Sequence, residues 1–389
     1  MVVRKAEVFR EKQGINLLTG HRVQRIDPDN QTVSGTTWEG KDFSAPYDRL
    51  LIASGASPIV PDLPGFDLPR VMALKSLDDG RKIKNFLADT PVKTVVIMGM
   101  GYIALEMCEA LAALGITVDL VKPNPRFLPW LESAMAQAVK DEIESKGVGV
   151  HAGHRVECIE KTGEGLRVVC PDLTLNADMV LVGIGVTPNS HFAESAGLNM
   201  SVKQSVAVDR RMQTSRENIY AAGDCADAYH VVTGKKTWIP LALRANRAGW
   251  AVADNLSGKN VEIDGVAGSA VFKIFDLEVA RTGLNVAEAI EFGFEAVEMM
   301  ITSASRAHTY PGGSKLLVNM IADKASGRLL GAQMVGREGA AQRINAAAVA
   351  LHNQMTVEHF SQTDLAYAPP FGPTWDPLLI AANQLLKKM

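Results

Sequence analysis

Gly99-Met100-Gly101-Tyr102-Ile103-Ala104 follows the apolar run TVVIM and opens a stretch of helical character. That order of strand, glycine turn and helix is what a dinucleotide requires. Gly99 permits the tight turn, and Gly101 lets the backbone approach a pyrophosphate at the positive end of the helix. Ala104 stands where a third glycine would let helix pack on strand. A glycine turn without a ligand is the plain alternative. The next strand ends VDLVKPNPR, with Lys122 where an acidic residue would bond a ribose 2′-hydroxyl, and Arg126 four residues on. A cation there pairs with a 2′-phosphate, which favours NADPH over NADH. A solvated lysine that accepts both is the alternative. A second stretch, YAAGDCADAY, carries an apolar strand into Gly223 and Asp224. A carboxylate at a strand end can accept hydroxyl hydrogen bonds from a polyol chain, or cap the following helix.

These residues need elements to hold them. Residues 15–52 read as short strands with period-two alternation, and YDRLLIASGASPIVPDLPG as a buried strand running into a Pro/Gly-rich turn region. Residues 76–90 read as an exposed helix. KTVVIMGMGYIALEMCEALAALGITVDLVKPNPRFLP, the amphipathic SAMAQAVKDEIESKG and the strands through ADMVLVGIGVTPN make a βαβ domain. A strand into Asp224 and a helix over ALRANRAGWAVADNLSG follow. From about 264, strands and then the helix AAQRINAAAVALHNQ group as an α+β domain.

The matching stretches, in order, are YDRLLIASGASPIVPDLPG, VVIMGMGYIALEMCEAL, VLVGIGVTPNS, NIYAAGDCAD, IPLALRANRAG, KIFDLEVARTGL, LLGAQMVGREGAAQRINAAA and LAYAPPFGPTWDP. Through them the chain resembles the flavin-dependent pyridine nucleotide–disulfide oxidoreductases over essentially its whole length. It is most similar to the branch of coenzyme A-disulfide reductases, NADH oxidases and peroxidases, and NAD(P)H sulfur reductases. The resemblance implies an α/β fold: two Rossmann-like domains, for FAD and NAD(P), and a C-terminal α+β dimerisation domain. The boundaries expected are 1–77 and 191–263 for the FAD domain, 78–190 for the NAD(P) domain and 264–389 for dimerisation.

It also implies roles. Asp224, with Gly223, would meet the FAD ribityl and pyrophosphate. Ala53-Ser54-Gly55 would lie beside the flavin, Val23 at the adenine, and Leu241 and Ala242 along the cofactor. Gly185 joins Gly99, Gly101, Tyr102, Ile103 and Ala104 on the NAD(P) side. Tyr102 would gate the nicotinamide pocket and Glu106 would contact its end; a core aromatic and a helix-surface charge are the alternatives. Tyr310 and Tyr367 would reach the partner subunit's active site in a homodimer, where a phenol can donate to a thiolate or the flavin edge. Asn246 would flank the substrate, with His308 a weaker candidate. Hydride would pass from NADH or NADPH to FAD, and then to a small-molecule disulfide, a polysulfide or oxygen. Trp375, with no nearby cation in the sequence, argues against coenzyme A.

The family pattern opens with its own glycine-rich FAD turn, an acidic residue and a redox cysteine, none of which is found. Cys108, Cys158, Cys170 and Cys225 are scattered and read as inert thiols. The expectation is an FAD domain shortened at its N-terminus and weakened, since each large apolar side chain left in water costs about 1.5–3 kcal/mol. An NADH oxidase or peroxidase, and a non-catalytic NAD(P)-binding module, are the competing readings. A formal charge of −3 argues against a nucleic-acid binder. No Cys–His cluster suggests a metal, no apolar run suggests a membrane span, and no leader is evident. The expected setting is cytoplasmic.

Overall fold

The computed structural model describes residues 5–163 and 165–389. The chain divides into two compact bodies. The first takes in the chain up to Ala56, Pro188–Ala228 and Lys236–Asp264; the second takes in Ser57–Thr187, Tyr229–Lys235 and Gly265–Met389.

In the first body, His21–Asp27, Thr32–Thr37 and Asp42–Pro46 form an antiparallel three-stranded sheet, with a register slip between Val23 and Arg25. Beside it in sequence, Leu50–Ile52 pairs in parallel with Ile219–Ala221, residue for residue. Because the pair is parallel, both strands deliver their following residues to the same end. Ala53–Gly55 and Gly223–Asp224 therefore lie together there. The helix Ala242–Leu256 buries Ala248, Ala251 and Val252 in a core with Ile52, Ile219, Ala221 and Cys225. This parallel sheet is narrow, and Leu51 within it is 36% exposed.

The second body holds a five-stranded parallel sheet in the order Val71–Ala73, Met179–Val182, Thr94–Met98, Thr117–Lys122, Gly149–Ala152. The β-branched run of Thr94–Met98 is buried on both faces: Val95 and Ile97 pack against the helices, and Val96 and Met98 against Ile159, Leu166 and Val168 of an antiparallel sheet formed by Cys158–Thr162, Gly165–Val169 and Thr174–Ala177. Ser76 starts the helix Leu77–Asp89 through a reciprocal capping box with Asp79. The helices Tyr102–Ala112 and Ser133–Ser145 follow their strands as the alternation requires. Asp178 accepts from the N–H groups of Lys93 and Thr94 and from the Thr94 hydroxyl. Burial alone would raise its pKa, but these donors outweigh burial and lower it.

The same body contains an antiparallel sheet, Ala270–Ile274, Leu277–Gly283, Leu329–Gly336, Lys315–Asp323 and Ala296–Ala304 in that spatial order. Ala340–His352 and Pro377–Leu386 pack on it around Leu316, Val318, Ile344 and Leu378. Phe272, Val279, Leu317 and Val335 join the core that holds the helix Tyr102–Ala112. Lys273 Nζ and the Phe275 N–H both donate to Glu109 of that helix, at 2.5 and 2.9 Å.

Candidate functional site

The turn at Gly99 is shaped by main-chain contact. Its φ is +105°, and a Cβ there would stand 2.2 Å from the Gly183 carbonyl oxygen. Its N–H donates to the Val121 carbonyl at 2.8 Å, which ties the turn to the neighbouring strand. Ala104 is fully buried, and its methyl lies 3.3 Å from where a Gly183 Cβ would be. The helix therefore sits on the strand through an alanine and a glycine. Gly183 is a partner the sequence reading did not single out. Gly101 is the N-cap, no side chain caps the helix, and nothing lies within 4 Å of a Cβ built on it. An open glycine before an eleven-residue helix with its first N–H groups free of side chains fits a diphosphate. Ile103 and Glu106 are exposed on the same first turns. Gly185, at φ +121°, accepts the Ile59 N–H at 3.0 Å.

Tyr102 packs its ring against Trp130 and Phe272, with centroids 5.7 and 5.3 Å away. Burial raises its phenol pKa. In this arrangement the ring is part of an aromatic cluster. Lys122 Nζ donates to the carbonyls of Arg126 and Phe127 at 2.7 and 2.8 Å, and burial lowers its pKa. Two of its three protons thus brace the 123–127 loop. Arg126, by contrast, is exposed, and its backbone N–H is held by Asn124 Oδ1 at 2.9 Å.

In the first body the strand ends are held by side chains. Ser54 Oγ donates to the Asn189 carbonyl at 2.5 Å, while Asn189 Nδ2 returns a bond to the Ser54 carbonyl at 2.9 Å. Gly223 takes φ +79° and starts a single 3₁₀ turn through Asp224 to Cys225. The next α-helix begins at Ala242 with Leu241 as its N-cap and no side-chain cap, so Asp224 does not cap it. A Cβ on Gly223 would stand 3.8 Å from the Ala245 methyl, which places the turn against that helix's first turn. Trp238 Nε1 donates to the Asp224 carbonyl at 2.8 Å. Asp227, fully buried, accepts from Lys236 Nζ and the Val208 N–H, both at 3.0 Å. A half-buried carboxylate beside an uncapped fifteen-residue helix fits a cofactor that carries both hydroxyls and a diphosphate. Val23 and Ala53 are exposed, and Asn246 is exposed with its amide on the Ala242 carbonyl.

Tyr310 and Tyr367 lie on two loops of the second body that are bound together. The Ala307 N–H donates to the Pro369 carbonyl at 3.0 Å. Arg343 reaches the carbonyls of Ser305 and Phe371 at 3.1 and 2.6 Å, and its Nε pairs with Asp376 at 2.8 Å. Tyr310, Tyr367, Phe371 and Trp375 are exposed there, as is His308. Two cations lie at these loops and both are engaged: Arg343 on carbonyls and Asp376, and Arg306 on Glu338 and the Pro311 carbonyl.

All four cysteines are unpaired. Burial pushes the Cys108 thiol up to about 12, and the Cys225 thiol donates inward to the Ala222 and Ile52 carbonyls. Both are poor nucleophiles. No group of metal-ligating side chains is found among the described residues, and no helix there is long and apolar enough to cross a membrane.

The chain matches the pyridine nucleotide-disulphide oxidoreductase family over residues 2–249 and that family's dimerisation domain over 269–377. It belongs to this family. It is 35% identical over 388 residues to the CoA-dependent NAD(P)H sulfur oxidoreductase of Pyrococcus furiosus, covering 97% of this chain and 85% of the relative. It is 30% identical over 371 residues to a coenzyme A disulfide reductase of Staphylococcus aureus, covering 94% and 82%. The structure of a NAD-dependent persulfide reductase from A. fulgidus superposes with a TM-score of 0.95 at 35% identity, over 99% of this chain and 72% of that one. The cofactors of this flavoprotein family are FAD and NAD(P)H.

Proposed function

We propose that the protein is a homodimeric flavin-dependent NAD(P)H oxidoreductase that reduces a sulfur acceptor, a disulfide, persulfide or polysulfide. The observation that carries the reading is the pair of strand-end turns, Gly99–Ala104 and Gly223–Asp224, each facing a helix N-terminus free of side-chain caps. The body that holds the chain up to Ala56, 188–228 and 236–264 serves FAD; in the other body the parallel sheet between Val71 and Val182 serves NAD(P)H, and 265–389 serve dimerisation.

Gly99, Gly101 and the first turn at Tyr102–Ala104 hold the NAD(P)H diphosphate, with Gly185 beside them. Glu106 faces the nicotinamide end. Tyr102 admits the ring by leaving its place against Trp130 and Phe272. Lys122 shapes the loop after its strand, and Arg126 pairs with a 2′-phosphate, which favours NADPH. Asp224 accepts hydroxyl hydrogen bonds from the FAD ribityl chain, and the N-terminus at Leu241–Ala242 takes its diphosphate. Ala53–Gly55 line the flavin and Val23 the adenine. When bound, FAD supplies a ring that takes hydride and passes electrons to sulfur. Tyr310 and Tyr367 meet the partner's site and donate to the acceptor's leaving thiolate. Asn246 flanks that acceptor.

The test is steady-state NAD(P)H oxidation by the FAD-loaded chain with polysulfide, coenzyme A disulfide or oxygen. Turnover on a sulfur acceptor well above that on oxygen supports the reading. Turnover on oxygen alone makes the protein an oxidase instead.

A further inference from the structure

Arg244 is the third residue of the helix Ala242–Leu256, yet it is 7% exposed. Its Nη1 donates to the Gly223 carbonyl at 2.8 Å, and its Nη2 to the Ala226 carbonyl at 2.8 Å and to the Asp227 carbonyl. The Gly223 oxygen also accepts the Ala226 N–H at 3.1 Å. Two carboxylates lie in the same turn: Asp227, engaged by Lys236 and the Val208 N–H, and the half-buried Asp224. Two costs meet at this residue. A cation in a helix's first turn opposes the macrodipole, and a buried guanidinium loses its hydration. Main-chain carbonyls return part of that. An anion at the uncapped N-terminus would return more.

The geometry has a second effect. A peptide unit is planar and trans, so a carbonyl pinned toward the guanidinium turns the next N–H the other way. Holding Gly223 in this manner fixes the peptide that leads into Asp224.

We propose that Arg244 is a positioning residue of the flavin side: it clamps the Gly223–Asp227 turn so that Asp224 is presented to FAD, and its buried charge favours the cofactor's diphosphate. The inference rests on the reading of Gly223–Asp224 as that side.

The test titrates FAD into the purified full chain, wild type and the variants Arg244→Met and Arg244→Lys. Each is compared at the same interval below its own cofactor-free melting temperature, so that lost stability does not pass for lost affinity. Arg244→Met is expected to weaken FAD binding by at least about tenfold, and Arg244→Lys to recover most of that. Unchanged affinity in both variants, or losses that vanish at equal folded fraction, overturns the inference and leaves Arg244 a structural staple. If Arg244→Met does not fold, Arg244→Gln takes its place with the same expected loss, and unchanged affinity in Arg244→Gln at equal folded fraction overturns the inference. Wild type that takes up no FAD removes the flavin reading itself, and this inference with it.

Discussion

The two strand-end turns solve one problem by different means. At Gly99 the turn sits on five parallel strands whose middle is fully buried, and backbone presses on backbone: a Cβ there would stand 2.2 Å from the Gly183 oxygen. At Gly223 the turn sits on two strands of three residues each, with Leu51 partly in water. There the shape comes from side chains: Arg244 and Trp238 on the turn's carbonyls, Lys236 on Asp227, and the Ser54–Asn189 clasp. A wide sheet imposes a turn through packing, and glycine is its one requirement. A narrow sheet must recruit polar side chains, many of them distant in sequence.

That contrast is open to attack by mutation. The largest effect is expected at Gly99→Ala, which adds both a clash and an unfavourable φ. It should cost roughly 3 kcal/mol or more, and abolish measurable NADPH binding by fluorescence titration. Wild-type affinity in that variant would mean the turn is not packed as described.

Acid should loosen the second body through His230. It is 6% exposed, accepts the Val232 N–H at Nδ1, and burial lowers its pKa from 6.5 to about 4. Between those values the unfolded chain takes up a proton that the fold refuses. Stability should therefore fall as pH drops through that window, by roughly 3 kcal/mol at its lower end. Denaturant midpoints for wild type and His230→Gln should converge in slope outside the window and diverge within it.

Asp227→Ala strikes the narrow-sheet side. Lys236 would lose its carboxylate, and the Val208 N–H its acceptor, for about 2–3 kcal/mol once partial exposure of the lysine is allowed for. Hydrogen exchange should rise in 206–228 and stay unchanged in 94–122. A rise in both would erase the distinction between the bodies.

The smallest effect separates Arg126 from Lys122. Arg126→Ala should lower the ratio of kcat/KM for NADPH over NADH about tenfold, near 1.4 kcal/mol. Lys122→Met should lower both together by releasing the loop at Arg126 and Phe127. A changed ratio in Lys122→Met with none in Arg126→Ala would reverse their roles.

The sequence shows most plainly what packing imposes. The glycine turn, its strand and its helix are local, and each leaves a mark within about twenty residues. The strands 270–336 and the helix Ala340–His352 are legible for the same reason. Val286–Glu291, Val357–Ser361 and Pro377–Leu386 escape periodicity because they are short or apolar throughout, although Asp376-Pro377 is a start signal for the last of them. Arg244, Trp238, Asp227 and Asn189 escape it because their partners are set by the fold; Ser54 and Asn189 are 135 residues apart. Lys122 shows the limit of reading charge from position. Its place at the strand end is legible, but the carbonyls that occupy it depend on how the loop turns back.

Mixing the FAD-loaded chain with NADPH under nitrogen, then adding polysulfide, addresses the two-turn relay directly. Loss of the flavin's visible absorbance on NADPH, and its return with polysulfide, is the result this account requires. A chain that binds NADPH while its flavin stays oxidised, or that holds no flavin, would contradict it.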